Sequence, residues 1–409
     1  MRVDSGLDED STSNYNKISK AVCNIMYRGI EVKPIDINKS QYMFNPDPQT
    51  GSILYGMKGL NGVGSADIAQ IIENRPFTSF EDFKARTNID KTATVSLIKS
   101  GAFDEFGSRE DIMRKFLLTT CNAKKKLTLQ NFNALVKNNL IPQELEFQRR
   151  LFAFNKALKA NRSSGSDFII DGRYYDFFEK FFNTDELAVK DNKLTISQAA
   201  WKKLYNKGME LAKTYLKEHQ EEMLDKLNST LLSGEWSKYA DGTISSWEMD
   251  SMGYFYHEHL LSNVNPMYYG VKEFNELPTE PVNDSNFNGI PIRKLTRIMG
   301  CVIAKDDIKS TVTLVTVESG VVNVRMNREQ YAYYNRRLSD LKSDGTKVVL
   351  ENGWFQRGEL LVFSGYRRGD TFMAKKYKNW KYPLVEKITK VNNNGTVFMT
   401  DKRANEIEE

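Results

Sequence analysis

Cysteine and histidine are scarce in this 409-residue chain, with three of each. Cys23, Cys121 and Cys301 lie far apart and are odd in number. They make neither a disulfide framework nor a zinc site, which suits a reducing cytoplasm. His257 and His259 form a His-x-His pair, but the apolar spacing around them is helical, so the two rings would diverge, and no third ligand is near. No metal site is expected. No apolar run approaches the roughly 18 residues that a membrane span requires. The start, Met1–Asp10, is acidic and polar, unlike a signal peptide. These absences leave a cytoplasmic protein with no membrane partner.

What remains is ample for packed cores: 40% hydrophobic residues, with 23 Phe and 19 Tyr. The length predicts two or three domains. The net charge of +5 is unevenly spread. Ser285 to Glu409 holds 22 Lys+Arg against 14 Asp+Glu, or +8, and the remainder is −3. A basic C-terminal third points to a polyanionic partner.

The most informative run is Tyr55-Gly-Met-Lys-Gly-Leu-Asn-Gly-Val-Gly64-Ser65, followed by a helix with Ile68, Ile71 and Ile72 on one face. A Gly-x-Gly bend uses positive φ and aims backbone amides and a helix N-terminus at one point, which suits a phosphate oxygen. With a short helix before it, the run has the form of a helix-hairpin-helix, a sequence-independent clamp on DNA. The competing reading is a purely structural turn between two helices.

Around this run the pattern is helical. Ile18, Val22, Ile25 and Met26 predict a helix over residues 14–28, after a disordered lead of residues 1–14. Ile30–Asn38 alternates like a strand, and Pro34 marks an edge or turn. Ser79 with Asp82, and then Asp90, predict helix N-caps, and Gly101 ends the second helix in a degenerate hairpin. Residues 107–245 are mostly helical in pattern, with a loop at Asn161–Ser166 and a long helix from Ser197 to about Leu227. From Lys294 the period becomes two: strands at 298–303, 311–317 and 321–326, a helix over 328–341, then strands near 347–351, 359–366 and 371–377. Three strands, a helix and further strands predict a small closed barrel of the OB type.

Four segments together resemble the C-terminal portion of the bacterial-type DNA polymerase III alpha subunit, the C-family polymerase, in a bacterial or phage version. Arg28–Ser40 is similar to the segment ending that family's fingers. Tyr55–Ile72, continued by Pro76–Phe83 and Leu97–Asp104, resembles its tandem helix-hairpin-helix. Met252-Gly-Tyr-Phe-Tyr-His-Glu-His-Leu260 resembles its linker helix, and Lys294–Tyr377 falls where its OB domain belongs. Residues 107–245 depart from the pattern. So does the lack of an Asp-x-Asp strand to hold the two Mg²⁺ ions of nucleotidyl transfer.

The fold class expected is multidomain α+β. It comprises an end-of-fingers segment (1–50), a tandem helix-hairpin-helix domain (51–106), a mostly helical linker or insertion (107–285), an OB-fold (286–383), and a C-terminal hairpin and tail (384–409). The resemblance implies DNA replication, with duplex and single-stranded DNA as partners. It also implies a separately encoded or missing catalytic polymerase part that would bind the Mg²⁺, since this chain has no cofactor or catalytic residue of its own. If phage-encoded, the chain would work in the host cytoplasm. Lys58, Gly62, Val63, Gly64, Ser65 and Arg75 are expected on duplex phosphates, with Gly62 and Gly64 required for backbone shape. Tyr366, Arg367, Arg368, Phe372, Lys375, Lys376, Tyr377 and Trp380 offer the aromatic and cationic mixture that holds single strands, although alternation means that some of the aromatics are core. Gln148, Leu151 and Phe152 resemble the family's Gln-x-x-Leu-Phe peptide for docking to a sliding clamp, or are core positions of a helix. Two other classes remain open: a non-catalytic DNA-binding replication accessory protein, and a repair enzyme combining the same two DNA-binding elements.

Overall fold

The computed structural model describes residues 15–160, 167–177, 187–190, 193–318, 320–341 and 347–406. The lead 1–14 and the loop Asn161–Ser166 lie outside the described residues. Two units emerge: one from residues 1–113 with 241–409, the other from 114–240.

In the first unit, α1 (Tyr15–Tyr27) leads into β1 (Val32–Lys33), which pairs in parallel with β3 (Ser52–Leu54), and β3 pairs antiparallel with β2 (Asn45–Asp47). Three helices follow: α2 (Ser65–Glu73), α3 (Phe80–Arg86) and α4 (Lys91–Lys99). Ser79 caps α3 through its side-chain oxygen, which accepts from the Asp82 amide, and Asp90 caps α4 by accepting from the Ala93 amide. Phe77, Phe80, Phe83 and Phe103 meet at ring-centroid distances of 4.9–6.2 Å and join α3 to the segments just before it and just after α4. α5 (Arg109–Thr120) then runs out of this unit.

The second unit is built from α6 (Phe132–Lys137), α7 (Glu146–Ala160), α8 (Gln198–Gly208), α9 (Glu210–Glu218) and α10 (Gln220–Tyr239), with a small antiparallel sheet. That sheet places β6 (Lys193–Ser197) between β4 (Asp167–Ile169) and β5 (Ala188–Lys190). The sheet has no counterpart in the helical reading of 107–245. The single helix expected from Ser197 to Leu227 is broken at Met209 and His219. Its core centres on Phe154, which meets Trp201 edge-on at 5.1 Å, while the Trp201 indole donates to Asn155.

The chain re-enters the first unit through α11 (Ile244–Ser251). Residues 252–260, expected to be helical, are irregular, because Gly253 takes φ +78 and ends the helix. After the hairpin of β7 (Asn283–Phe287) and β8 (Ile290–Arg293) comes the barrel. Its strands are β9 (Thr296–Asp306), β10 (Thr311–Val315), β11 (Val321–Arg325), β14 (Leu360–Arg368) and β15 (Thr371–Ala374). They close in the order β9-β10-β11-β15-β14 and back to β9, with β11 and β15 parallel. α12 (Arg328–Asn335) stands between the third and fourth barrel strands. The helix expected over 328–341 is shorter, since Leu338–Leu341 is a strand, β12, paired with β13 (Lys347–Glu351). β16 (Val385–Val391) and β17 (Val397–Thr400) extend the sheet from β14. Alternate residues such as Val312, Leu314, Val322, Val324, Leu361 and Phe363 fill the barrel. The fold is therefore multidomain α+β, with a helical part followed by a closed five-stranded barrel.

Candidate nucleic-acid interface

The first hairpin has one glycine whose backbone demands it. Gly62 sits at φ +79, a region that a side chain strains, although a Cβ there would meet nothing closer than Thr92 Cγ2 at 3.4 Å. Gly64 is different, and the expectation for it is corrected. Its φ is −82, within extended backbone open to any residue. Its amide is also already used, donating at 3.0 Å to the carboxylate of Asp67. Asp67 occupies the third position of α2 and supplies this cap. The spacing Gly64-x-x-Asp67 signals the arrangement in sequence.

The amides of Gly62, Val63, Ser65 and Ala66 donate no hydrogen bond to another described residue. Gly62, Ser65 and Ala66 are exposed, and the side chain of Val63 is buried beneath them. At the same corner the Ser65 hydroxyl contacts Lys58 Nζ (3.0 Å) and the Tyr42 hydroxyl (2.9 Å). The Lys58 ammonium lies 5.7 Å from the centre of the Tyr42 ring. Tyr42, which the sequence did not single out, is held there by the Lys58 amide, which donates to its carbonyl at 3.0 Å. The hairpin thus joins a helix N-terminus, unpaired amides and one half-buried cation, with one carboxylate close by.

Arg75 lies elsewhere. Its Nε donates to Ile37 O (2.6 Å) and a terminal nitrogen to Ser40 O (2.5 Å). Burial lowers its pKa, but the guanidinium is spent on backbone carbonyls and is not free for a phosphate. The second hairpin is filled by the protein itself. A Cβ on Gly101 would stand 2.4 Å from the Arg109 guanidinium, which makes a bidentate pair with Asp104 and a 2.9 Å bond to the fully buried Glu248 on α11. Glu248 also accepts from the amides of Tyr256 and His257 and pairs with His257 Nδ1 at 2.6 Å. His259 Nε2 faces Val315 O, and its Nδ1 accepts from the Leu261 amide. Both rings of the His-x-His pair therefore serve the protein. Among the described residues, no group of three His, Cys, Asp or Glu could hold a metal ion.

On the barrel, Tyr366, Arg368 and Ser364 share the outward face of β14, and Trp380 folds over it, its indole donating to Ser364 Oγ at 3.0 Å. Arg368, Lys375 and Lys376 are exposed, and Lys375 stands 5.7 Å from the Tyr377 ring centre. The Tyr377 hydroxyl accepts from the Arg293 amide. Phe372 points the other way and is wholly buried in the barrel core, so it stacks on no base. Arg367 also faces inward. It stacks 4.4 Å over Phe274 and donates to the carbonyls of Phe274, Leu277 and Gly369. α1 packs on β9 and β11, with Lys20 Nζ 3.4 Å from Asn323 Oδ1, on strands other than the one that carries Tyr366 and Arg368.

Gln148 and Leu151 are core residues of α7, 5% and 0% exposed. Gln148 donates to Gly208 O, and Phe152 packs on Phe132 at 5.4 Å. The three are fixed on a buried helix face and form no free docking peptide.

Residues 29–112 match a family model described as a helix-hairpin-helix motif. Nearly the whole chain, 98% of it, aligns at 38% identity with "Probable DNA polymerase YorL" of Bacillus subtilis and with "DNA-directed DNA polymerase" of Bacillus phage SPbeta. A shorter stretch, 26% of this chain and 9% of the relative, is 33% identical to "DNA polymerase III subunit alpha" of Thermus aquaticus. The chain is related to the C-family DNA polymerases. This C-family relative spans about a third of the length of the YorL and SPbeta proteins, 32% of each. No helix among its described residues is long and apolar enough to cross a membrane.

Proposed function

We propose that this chain is a DNA-holding part of a replicative C-family polymerase, gripping primer–template duplex through the first hairpin. The unpaired amides around Gly62 and Ser65 and the Lys58 ammonium would take phosphate oxygens of one strand, which positions a duplex without reading its sequence. The barrel, as an OB-type fold, would hold template single strand on the outward face carrying Tyr366, Arg368, Trp380, Lys375 and Lys376. Nucleotidyl transfer with its Mg²⁺ ions would fall to residues outside this sequence. The observation that carries the reading is the positive-φ turn at Gly62, directly before α2, with its donors unused.

Gly62→Ala tests it. The substitution has room but strains φ by about 1–2 kcal/mol, so the bend relaxes and the amides diverge. Duplex affinity should fall about tenfold or more, equally for two unrelated sequences, while circular dichroism reports an unchanged fold. Undiminished affinity in a folded variant, or primer extension by this chain alone, would contradict the proposal.

A further inference from the structure

The second unit is basic in its own right, beside the basic C-terminal third. Arg114 to Ala240 holds 22 Lys+Arg against 15 Asp+Glu, a net +7 in a chain whose total is +5. The asymmetry sharpens at its start: from Arg114 to Gln143 there are six cations and no Asp or Glu. Three of the six are consecutive, Lys124-Lys125-Lys126.

This triplet sits in a loop that is held from both ends. The amide of Lys124 donates to Asn228 Oδ1 (2.7 Å), and Asn228 Nδ2 returns a bond to Lys124 O (2.9 Å), tying the loop to α10. At the other end Asn131 Nδ2 donates to Lys126 O (2.8 Å), while its Oδ1 accepts from the Thr128 amide (2.7 Å). Lys125 and Lys126 are exposed. None of the three ammonium groups has an ion-pair partner among the described residues, and Asp225, one turn before Asn228 on α10, pairs with none of them. Elsewhere in this unit lysines do find carboxylates, as Lys213 does with Glu210 and Lys226 with Glu222. Fixing three like charges side by side costs self-repulsion, which a polyanion relieves. Two asparagines spend their side chains on backbone groups to keep the triplet in place.

We infer that the Lys124–Lys126 loop is a second, separate contact with the sugar–phosphate backbone of duplex DNA, belonging to the helical unit and not to the hairpin. The inference rests on the reading that this chain handles DNA. It adds a site in the region where the polymerase III pattern is absent. Backbone contacts of this kind release counterions, so each contributes a slope of about 0.9 to the dependence of log affinity on log salt.

The test is binding of the full chain to a short fluorescent duplex, followed by anisotropy across a salt series. Changing Lys124, Lys125 and Lys126 together to alanine leaves the backbone bonds to Asn228 and Asn131 intact. That variant should lose about tenfold in affinity near physiological salt, and its salt slope should flatten by about 2–3. The triple Lys→Arg variant should match the parent. Unchanged affinity and slope in the alanine variant would overturn the inference, as would an equal loss in the arginine variant. Gly62→Ala run beside them separates the two sites. A loss there with no effect of the alanine triplet removes this inference alone, and the converse removes the hairpin reading alone. A parent that binds no duplex removes both.

Discussion

Arg109→Ala should lower the free energy of unfolding by about 3–5 kcal/mol, read by urea denaturation. The guanidinium is 5% exposed, and one of its partners, Glu248, is fully buried. Removing Arg109 leaves a carboxylate in the interior with only the amides of Tyr256 and His257 and the His257 ring to hold it. It also frees the Lys99 carbonyl and the Asp104 carboxylate, and so loosens the turn at Gly101. Arg109→Lys should recover little of the loss, because an ammonium cannot reproduce the fork that bonds Asp104 twice while reaching Glu248. A loss below about 1 kcal/mol would show that the network is not what ties the hairpin helices to α11.

Acid should weaken the fold through His259. Burial lowers its pKa from the ordinary value to about 4, outweighing the hydrogen bond to Val315 O, which acts to raise it. The neutral ring is the form that fits, donating from Nε2 to Val315 O and accepting at Nδ1 from Leu261. The unfolded chain takes up a proton near pH 6.5, and the folded chain only near pH 4. The contribution is therefore complete above pH 6.5 and is lost as pH falls towards 4, by about 2–3 kcal/mol. His259→Gln removes that titration. Its unfolding free energy should change less than the parent's between pH 6.5 and 4, even if it is lower at pH 8. Parallel curves for the two proteins would refute the assignment.

Local signals were the readable ones. Ser79, Asp90 and Gly62 act over three or four residues of their own chain, and the structure uses each as its chemistry suggests. The barrel strands were readable because alternation over five or more residues fixes their inward set. Alternation said that some of the aromatics are core but not which: the structure puts Phe372 in the core and Tyr366 on the outer face. Arg75 and Arg367 defeated the reading for a different reason. Sequence displays a charge, but not which distant carbonyls lack a donor, and these two guanidiniums answer Ile37 and Ser40, and Phe274 and Leu277. Gln148 and Leu151 look like a docking peptide only until the helix carrying them meets α8. Gly208 stands directly before the break at Met209, but neither Gly nor Pro stands at His219, and the helical pattern runs on through both, so it concealed three helices.

The hairpin account stands most directly on Asp67→Asn. The Asp67 carboxylate lies beside the amides assigned to phosphate and opposes any anion there, while asparagine can still accept from the Gly64 amide. Removing that charge should tighten duplex binding by about 0.7–1.4 kcal/mol, or about three- to tenfold at low salt, with the gain shrinking as salt rises. Damage to the fold cannot imitate an increase. An unchanged or weaker affinity for Asp67→Asn would mean that no phosphate sits at the Gly62 turn.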